Sequence, residues 1–303
     1  MGRKTKVALT LGAAGIAAWA TSKAVAKPIP RKAKKALEFD QTVILAHRGG
    51  LLEAPENTRA AFSKSAALGV NGFAVDVRLT KDEEILVFHD EHADRTTDLV
   101  GKISEFTLDE LKEANAGYNF EDENGDHSYR DKEEKVLSLK ELLEEFPHMF
   151  ISINLKDSPE TYEGSLMPSK LWRLIEDLGA QDRVLVTSTF DEQTDRFNLY
   201  AQSRVATGAG EDEVKKAYTA FTSQFGHLYS PREDLFMIPE KLGIFPLNTE
   251  GFIKFLAQLN VPVYFNNVNE RDSIVRLINA GAAGFITDRP TFAMEIVQEN
   301  AGQ

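Results

Sequence analysis

The sequence predicts a single α/β domain, and three observations carry that prediction. Short apolar runs rich in Val and Ile alternate with longer amphipathic stretches from Val43 to nearly the C-terminus. No Pro-, Gly- or Ser-rich linker divides that region, so its 303-residue chain length reads as one large domain rather than two average ones. The hydrophobic fraction of 42% is ample for one core of that size.

Residues 1–36 stand apart. Arg3, Lys4 and Lys6 precede an apolar, Ala-rich run that extends over residues 7–26, about the length that spans a bilayer. Ala24-Val25-Ala26 has the small-x-small form of a signal-peptide cleavage site, but Lys23 sits inside that region, which favours an uncleaved anchor. The expectation is a membrane-associated or exported protein. Its sidedness stays open, because the basic flank after the run favours a cytoplasmic C-terminal domain and the signal-peptide reading the opposite. The net charge of -12, with no basic stripe after residue 35, argues against nucleic acid as a partner. With no cysteine, any metal must be held by carboxylate, imidazole or amide groups.

From residue 37 the elements follow in order. Val43–Ala46 is a brief β-branched run stopped by His47, Arg48 and a Gly pair, which reads as a buried strand. Pro55-Glu56-Asn57-Thr58 turns the chain, and Asn57 or Thr58 can cap a helix over Ala60–Leu68 that closes at Gly69. Further strand runs lie at 73–79, 85–88, 149–155, 184–188, 204–207, 243–247, 262–265 and 284–287. Only Thr80–Glu84 separates the run at 73–79 from that at 85–88, too short for a parallel crossover, so that segment is a hairpin. Residues 97–137 form an insertion, helical at Leu108–Ala114 and densely charged at Glu121–Lys135. Its D-E-N-G-D-H stretch puts Gly125 fourth rather than sixth, so it reads as a solvated loop and not a calcium loop. Ser169–Leu178 carries a helical core face, and the aromatic run Tyr218–Tyr229 is read as core packing ahead of a lining for a lipid or glycerol moiety. There is no Walker motif and no G-x-S-x-G.

The chemistry-bearing residues sit at the ends of the early strands. His47 and Arg48 end the first, Asp76 lies on the second and His89 follows the third. An Arg fork beside titratable imidazoles suits an anionic oxygen such as phosphate.

The ordered set A-H-R-G, P-E-N-T, G-F-A-V-D-V-R-L-T-K-D, V-F-H-D and I-T-D-R-P resembles the glycerophosphodiester phosphodiesterase family over nearly the whole chain from Val43. The resemblance implies a TIM (β/α)8 barrel with a small insertion after the second and third strands, which gives nine strand runs for eight barrel positions. It implies hydrolysis of glycerophosphodiesters or lysophospholipids to glycerol phosphate or lysophosphatidate and an alcohol. His47 and His89 would act as acid and base in an unassigned order, and Arg48 and Lys156 would stabilise charge on the phosphoryl oxygens.

The resemblance also implies a divalent cation, Ca2+ or Mg2+, held by paired carboxylates on the second strand and a later Glu. Here those positions read Ala74, Asp76 and Asn154, so the ligands would be Asp76 and Asn154, joined by Glu56 or with Glu56 behind the site. Such a cation would be weakly bound. Asn266 to Asn269 stands where the family has W-T-V-N. The competing expectation is a catalytically weakened member that binds phosphodiesters at a membrane.

Overall fold

A computed structural model describes residues 19–122 and 124–301, and its centre is a ring of parallel strands. The strands are β1 (Val43–His47), β2 (Gly72–Leu79), β3 (Ile85–Val87), β4 (Phe150–Leu155), β5 (Val184–Ser188), β6 (Ala206–Thr207), β7 (Phe236–Ile238), β8 (Lys241–Leu242), β9 (Phe245–Pro246), β10 (Val263–Phe265) and β11 (Gly284–Thr287). Hydrogen bonding runs β6-β5-β4-β2-β1-β11-β10-β7, and a parallel bridge between Gly208 and Leu235 joins β6 to β7 and closes the ring. The result is a TIM barrel with helices outside. β3 pairs antiparallel with β2, Val77 opposite Val87, so the hairpin expected from the short Thr80–Glu84 gap is present.

The sixth barrel position corrects the sequence reading. Phe236–Ile238 fills it, and the run at 243–247 instead forms part of a separate β8–β9 hairpin. Its apolar letters do not mark burial: Ile244 is 88% and Phe245 50% exposed, with Gly243 turning at φ +59°. β7 lies in an apolar run of its own, residues 235–238, which the sequence reading passes over for the neighbouring one.

Alternation along each strand separates two cores. Ile44, Phe73, Val75, Ile151, Ile153, Val184 and Val186 pack outward against the helices. Val43, Leu45, Ala74, Phe150, Leu185, Leu235, Tyr264 and Ile286 pack inside the ring. The inside apolar set thins toward the C-terminal strand ends, where polar side chains take over.

Ala36, on the 3-10 turn Lys35–Leu37, packs with the inside set, under the barrel. Arg31 pairs with buried Asp234 at 2.6 Å and its N–H donates to the Leu259 carbonyl. The boundary drawn after residue 36 therefore falls within contacts that close the barrel floor. Residues 19–25 are helical, and Trp19 Nε1 donates to the Gln224 carbonyl at 3.3 Å. Residues 7–18 of the expected anchor lie outside the described residues, among which no helix is long and apolar enough to cross a membrane.

The insertion has a small core of its own, in which Leu86, Phe88, Ile103, Leu111, Ala116 and Val136 pack together. Its helix Leu108–Glu113 starts with a Thr107–Glu110 capping box. The aromatic run packs as expected, Tyr218 and Phe221 meeting Phe252 edge-on or tilted.

Candidate active site

At the end of β1 the chain makes a tight turn that aims His47 and Arg48 into the barrel mouth. Arg48 itself is left-handed at φ +50°, a strained state for a non-glycine residue that the surrounding bonds must hold. Its N–H donates to the Ala74 carbonyl and its own carbonyl accepts from Asn57 N–H. Gly49 follows at φ +84°, where a Cβ would lie 2.7 Å from that of Ala61. Thr58 then caps the helix Arg59–Ala67, accepting from Ala61 N–H. The H-R-G-G and P-E-N-T letters are thus one piece of geometry.

Each histidine is backed by a carboxylate. His47 Nδ1 lies 2.6 Å from Asp288 Oδ1, whose other oxygen accepts from Asn269 Nδ2 at 2.6 Å. Burial alone would raise the Asp288 carboxyl, but the bond and charge of His47, with Asn269, hold it below the ordinary carboxylate value. His89 Nδ1 lies 2.5 Å from Asp90 Oδ1, and Asp90 is likewise held low, against burial, by Arg95 and His89. An ionised carboxylate only accepts, so both Nδ1 atoms carry hydrogen and both Nε2 atoms are left for the cavity.

Lys156 Nζ stands 3.2 Å from His89 Nε2. An ammonium only donates, so this contact requires a lone pair on Nε2 and a neutral ring. His89 is accordingly pushed below the ordinary imidazole value, by burial first and also by Arg48 and Lys156, against the raising effect of Asp90 and Asp76.

Arg48 is gripped from two sides, Nε donating to Asp76 Oδ2 and Nη1 to Glu56 Oε1, both at 3.1 Å. Asp76 Oδ1 accepts from Asn154 Nδ2 at 2.8 Å. Arg95, on the segment between β3 and the insertion, ties the two halves together. Its Nη1 and Nη2 donate to Glu56 at 2.8 Å and its Nε to Asp90 at 2.5 Å. Arg78 holds the His89 carbonyl at 2.9 Å and is itself anchored by Asp157.

These groups line one cavity of about 500 Å3 at the C-terminal ends of the strands, the usual place for chemistry in this fold. His47, Arg48, Asp76, His89, Asn154 and Lys156 all face it. The opposite wall is apolar, made by Val214, Met237, Ile238, Pro239, Leu242 and Leu247. Glu56 does not line the cavity; it sits behind Arg48, the second of the two places the sequence left open for it.

The donor set does not fit a hard cation. Such ions want several clustered oxygens, with two or three carboxylates to balance charge. Ala74 offers a methyl group, Asp76 has both oxygens engaged, and Glu56 has both oxygens on arginines. Among the described residues no three His, Asp or Glu side chains are grouped to hold a metal ion. The expected ligand set of Asp76, Asn154 and Glu56 is therefore bound to itself and to arginines rather than arranged around a common point.

Several supporting residues carried no role in the sequence reading. Asp288 lies in the I-T-D-R-P motif and Asp90 in F-H-D, so motif membership was a signal for both, but nothing local assigns them to a histidine. Asn269 closes the N-N-V-N stretch that stands where the family has W-T-V-N, whereas Arg95 gave no signal.

Known proteins resemble this chain over most of its length. The model of the glycerophosphoryl diester phosphodiesterase family matches residues 47–292. A glycerophosphodiester phosphodiesterase of Caldanaerobacter subterraneus is 30% identical over 259 residues, 86% of this chain and 99% of that protein. The glycerophosphoryl diester phosphodiesterase domain of a Mycobacterium tuberculosis protein superposes with a TM-score of 0.73 at 21% identity, covering 84% of this chain and 99% of that one. A phosphodiesterase of Oleispira antarctica, solved with its product sn-glycerol-3-phosphate, superposes at 0.66 with 21% identity, covering 85% and 97%.

Proposed function

The chain belongs to the glycerophosphoryl diester phosphodiesterase family, and we propose that it hydrolyses glycerophosphodiesters to glycerol phosphate and an alcohol, by acid–base chemistry between His47 and His89. The observation that carries this reading is the pair of imidazoles, each with Nδ1 fixed on an ionised carboxylate and Nε2 left for one cavity that also holds Arg48 and Lys156. The product found in the Oleispira protein supports the same substrate class.

His89, neutral and hydrogen-bonded by Lys156, is suited to the base. It takes the proton of the substrate's neighbouring glycerol hydroxyl, whose oxygen attacks phosphorus. The head-group oxygen leaves and takes a proton from His47, backed by Asp288. Water then opens the cyclic phosphate with the roles reversed, so one water is consumed and both rings return to their first state. Arg48 and Lys156 face the phosphoryl oxygens throughout.

The test is release of glycerol phosphate from glycerophosphocholine, glycerophosphoethanolamine and glycerophosphoglycerol. Replacing either His47 or His89 by Ala should lower turnover by about 10²–10⁴-fold with the fold intact. Undiminished turnover in His89→Ala removes that residue from the mechanism. Binding of all three substrates without release of product identifies the weakened, binding-only protein.

One observation favours a lysophospholipid as a second substrate: the apolar wall reaches Leu242, beside the exposed Ile244 and Phe245 of the β8–β9 hairpin, where an acyl chain would lie. Association with a membrane through residues 7–26 would suit it, and fractionation of the full-length chain tests that segment. A full-length chain that stays in the soluble fraction removes the anchor.

A further inference from the structure

We propose that this cavity binds and turns over its phosphodiester without a divalent cation, with Lys156 and Arg48 carrying the charge that a cation would bring. The proposal rests on the phosphodiesterase reading and concerns how the same site meets a phosphate.

Asn154 faces the cavity from β4. Its neighbour across the strands is Asp76, in register on β2 and β4. Because an ionised carboxylate only accepts, Asn154 must turn its NH2 toward Asp76, as the 2.8 Å contact has it. Its oxygen is then left on the Thr187 side, 3.4 Å from Oγ1. The amide thus acts as a donor at the place where a cation ligand would have to be an acceptor. The second Asp76 oxygen holds Arg48. Asp76 is consequently an anchor for a guanidinium, and a cation entering here would have to displace two donors from it.

Charge counting points the same way. Arg48 and Arg95 share three carboxylates, Asp76, Glu56 and Asp90, of which Asp76 alone faces the cavity, beside Arg48 and Lys156. Among the described residues Lys156 has no carboxylate in ion-pair range; its contact is a histidine nitrogen. Ala74 and Asn154 add no negative charge to the polar wall. The wall that faces the substrate therefore carries an ammonium without a counter-ion, and a phosphodiester monoanion supplies one. Restoring carboxylates at 74 and 154 would reverse the sign of that wall unless a cation came with them.

The experiment titrates glycerol 3-phosphate into the full-length protein by calorimetry, in chelator and in millimolar Ca2+ or Mg2+. The expected result is affinity equal within about twofold in both, since no charge-bearing ligand is lost on chelation. Lys156→Met should weaken binding about tenfold or more in both media, the cost of one charged hydrogen bond. Lys156→Arg, which keeps the charge, should retain most of it and guards against a folding defect. Ca2+ alone should leave the melting temperature of the wild type unchanged and raise that of the Ala74→Glu/Asn154→Glu variant.

Binding at least tenfold tighter with cation than in chelator, or a Ca2+-induced rise in the wild-type melting temperature, overturns the proposal and leaves the phosphodiesterase reading standing. Failure to bind in either medium, together with no hydrolysis, overturns both.

Discussion

Asp288 holds His47 at 2.6 Å from 241 residues away, across the seam where the first and last barrel strands pair. The contact orients the imidazole and fixes its tautomer, because an ionised Asp288 requires the hydrogen on Nδ1. Asp288→Asn leaves the shape but permits the wrong tautomer. The expected loss in kcat is about 10²-fold or more, with KM changed far less, since substrate contacts remain. Steady-state kinetics on a protein of unchanged melting temperature decides it, and a loss confined to KM contradicts the role.

As the proposed base, His89 should set the acid side of the pH profile. Its ring is held below the ordinary imidazole value of 6.5, and the base must be neutral, so activity should fall only as pH drops through that lowered value. The acid limb of kcat/KM is expected below about pH 6.5. Lys156→Met removes one of the charges that disfavour the imidazolium, so the limb should move to higher pH. A limb that stays put or moves down shows that Lys156 does not act on His89.

Arg95 is a positioning residue, bonded to the carboxylates behind both Arg48 and His89. Arg95→Met should lower kcat by about tenfold, from two loosened charged hydrogen bonds, and should move the His89 limb as Asp90 is released. A merely structural role would lower the melting temperature and leave the pH profile where it was.

At the other end of the barrel, Arg31 pairs with Asp234, whose side chain is 2% exposed. Removing one partner of such a pair strands a buried charge, and Lys34 at 3.9 Å compensates only in part. Arg31→Ala is expected to cost about 2–3 kcal/mol of stability with activity intact. Truncation before residue 27 should be better tolerated than truncation before residue 37, which also deletes buried Ala36. Equal melting temperatures for the two truncations would contradict this.

Much of this was legible where one local signal sufficed. The gap Thr80–Glu84 dictated a hairpin, and Val43–Thr58 carried strand, turn and cap in consecutive letters. The two-residue period placed Ala74 with Asp76, and Asn154 with Lys156, on the cavity side. What escaped depended on contacts between distant residues or on a choice between two apolar runs whose burial the letters do not show. β7 lies in the barrel wall, whereas Ile244 and Phe245 imitate a strand while lying in solvent. Arg95 is one charge in the polar segment after His89 until the fold brings Glu56 to it. The pairing of Asp288 with His47 exists only once β1 and β11 lie side by side.

The central claim is that the two imidazoles of this cavity cleave a glycerophosphodiester. The most direct measurement follows glycerophosphocholine by phosphorus NMR with the wild type, His47→Ala and His89→Ala. The account predicts conversion to glycerol phosphate by the wild type and a loss of at least about 10²-fold in each variant. Equal rates in wild type and either variant, or a phosphodiester signal that the wild type leaves unchanged at saturating enzyme, would contradict it.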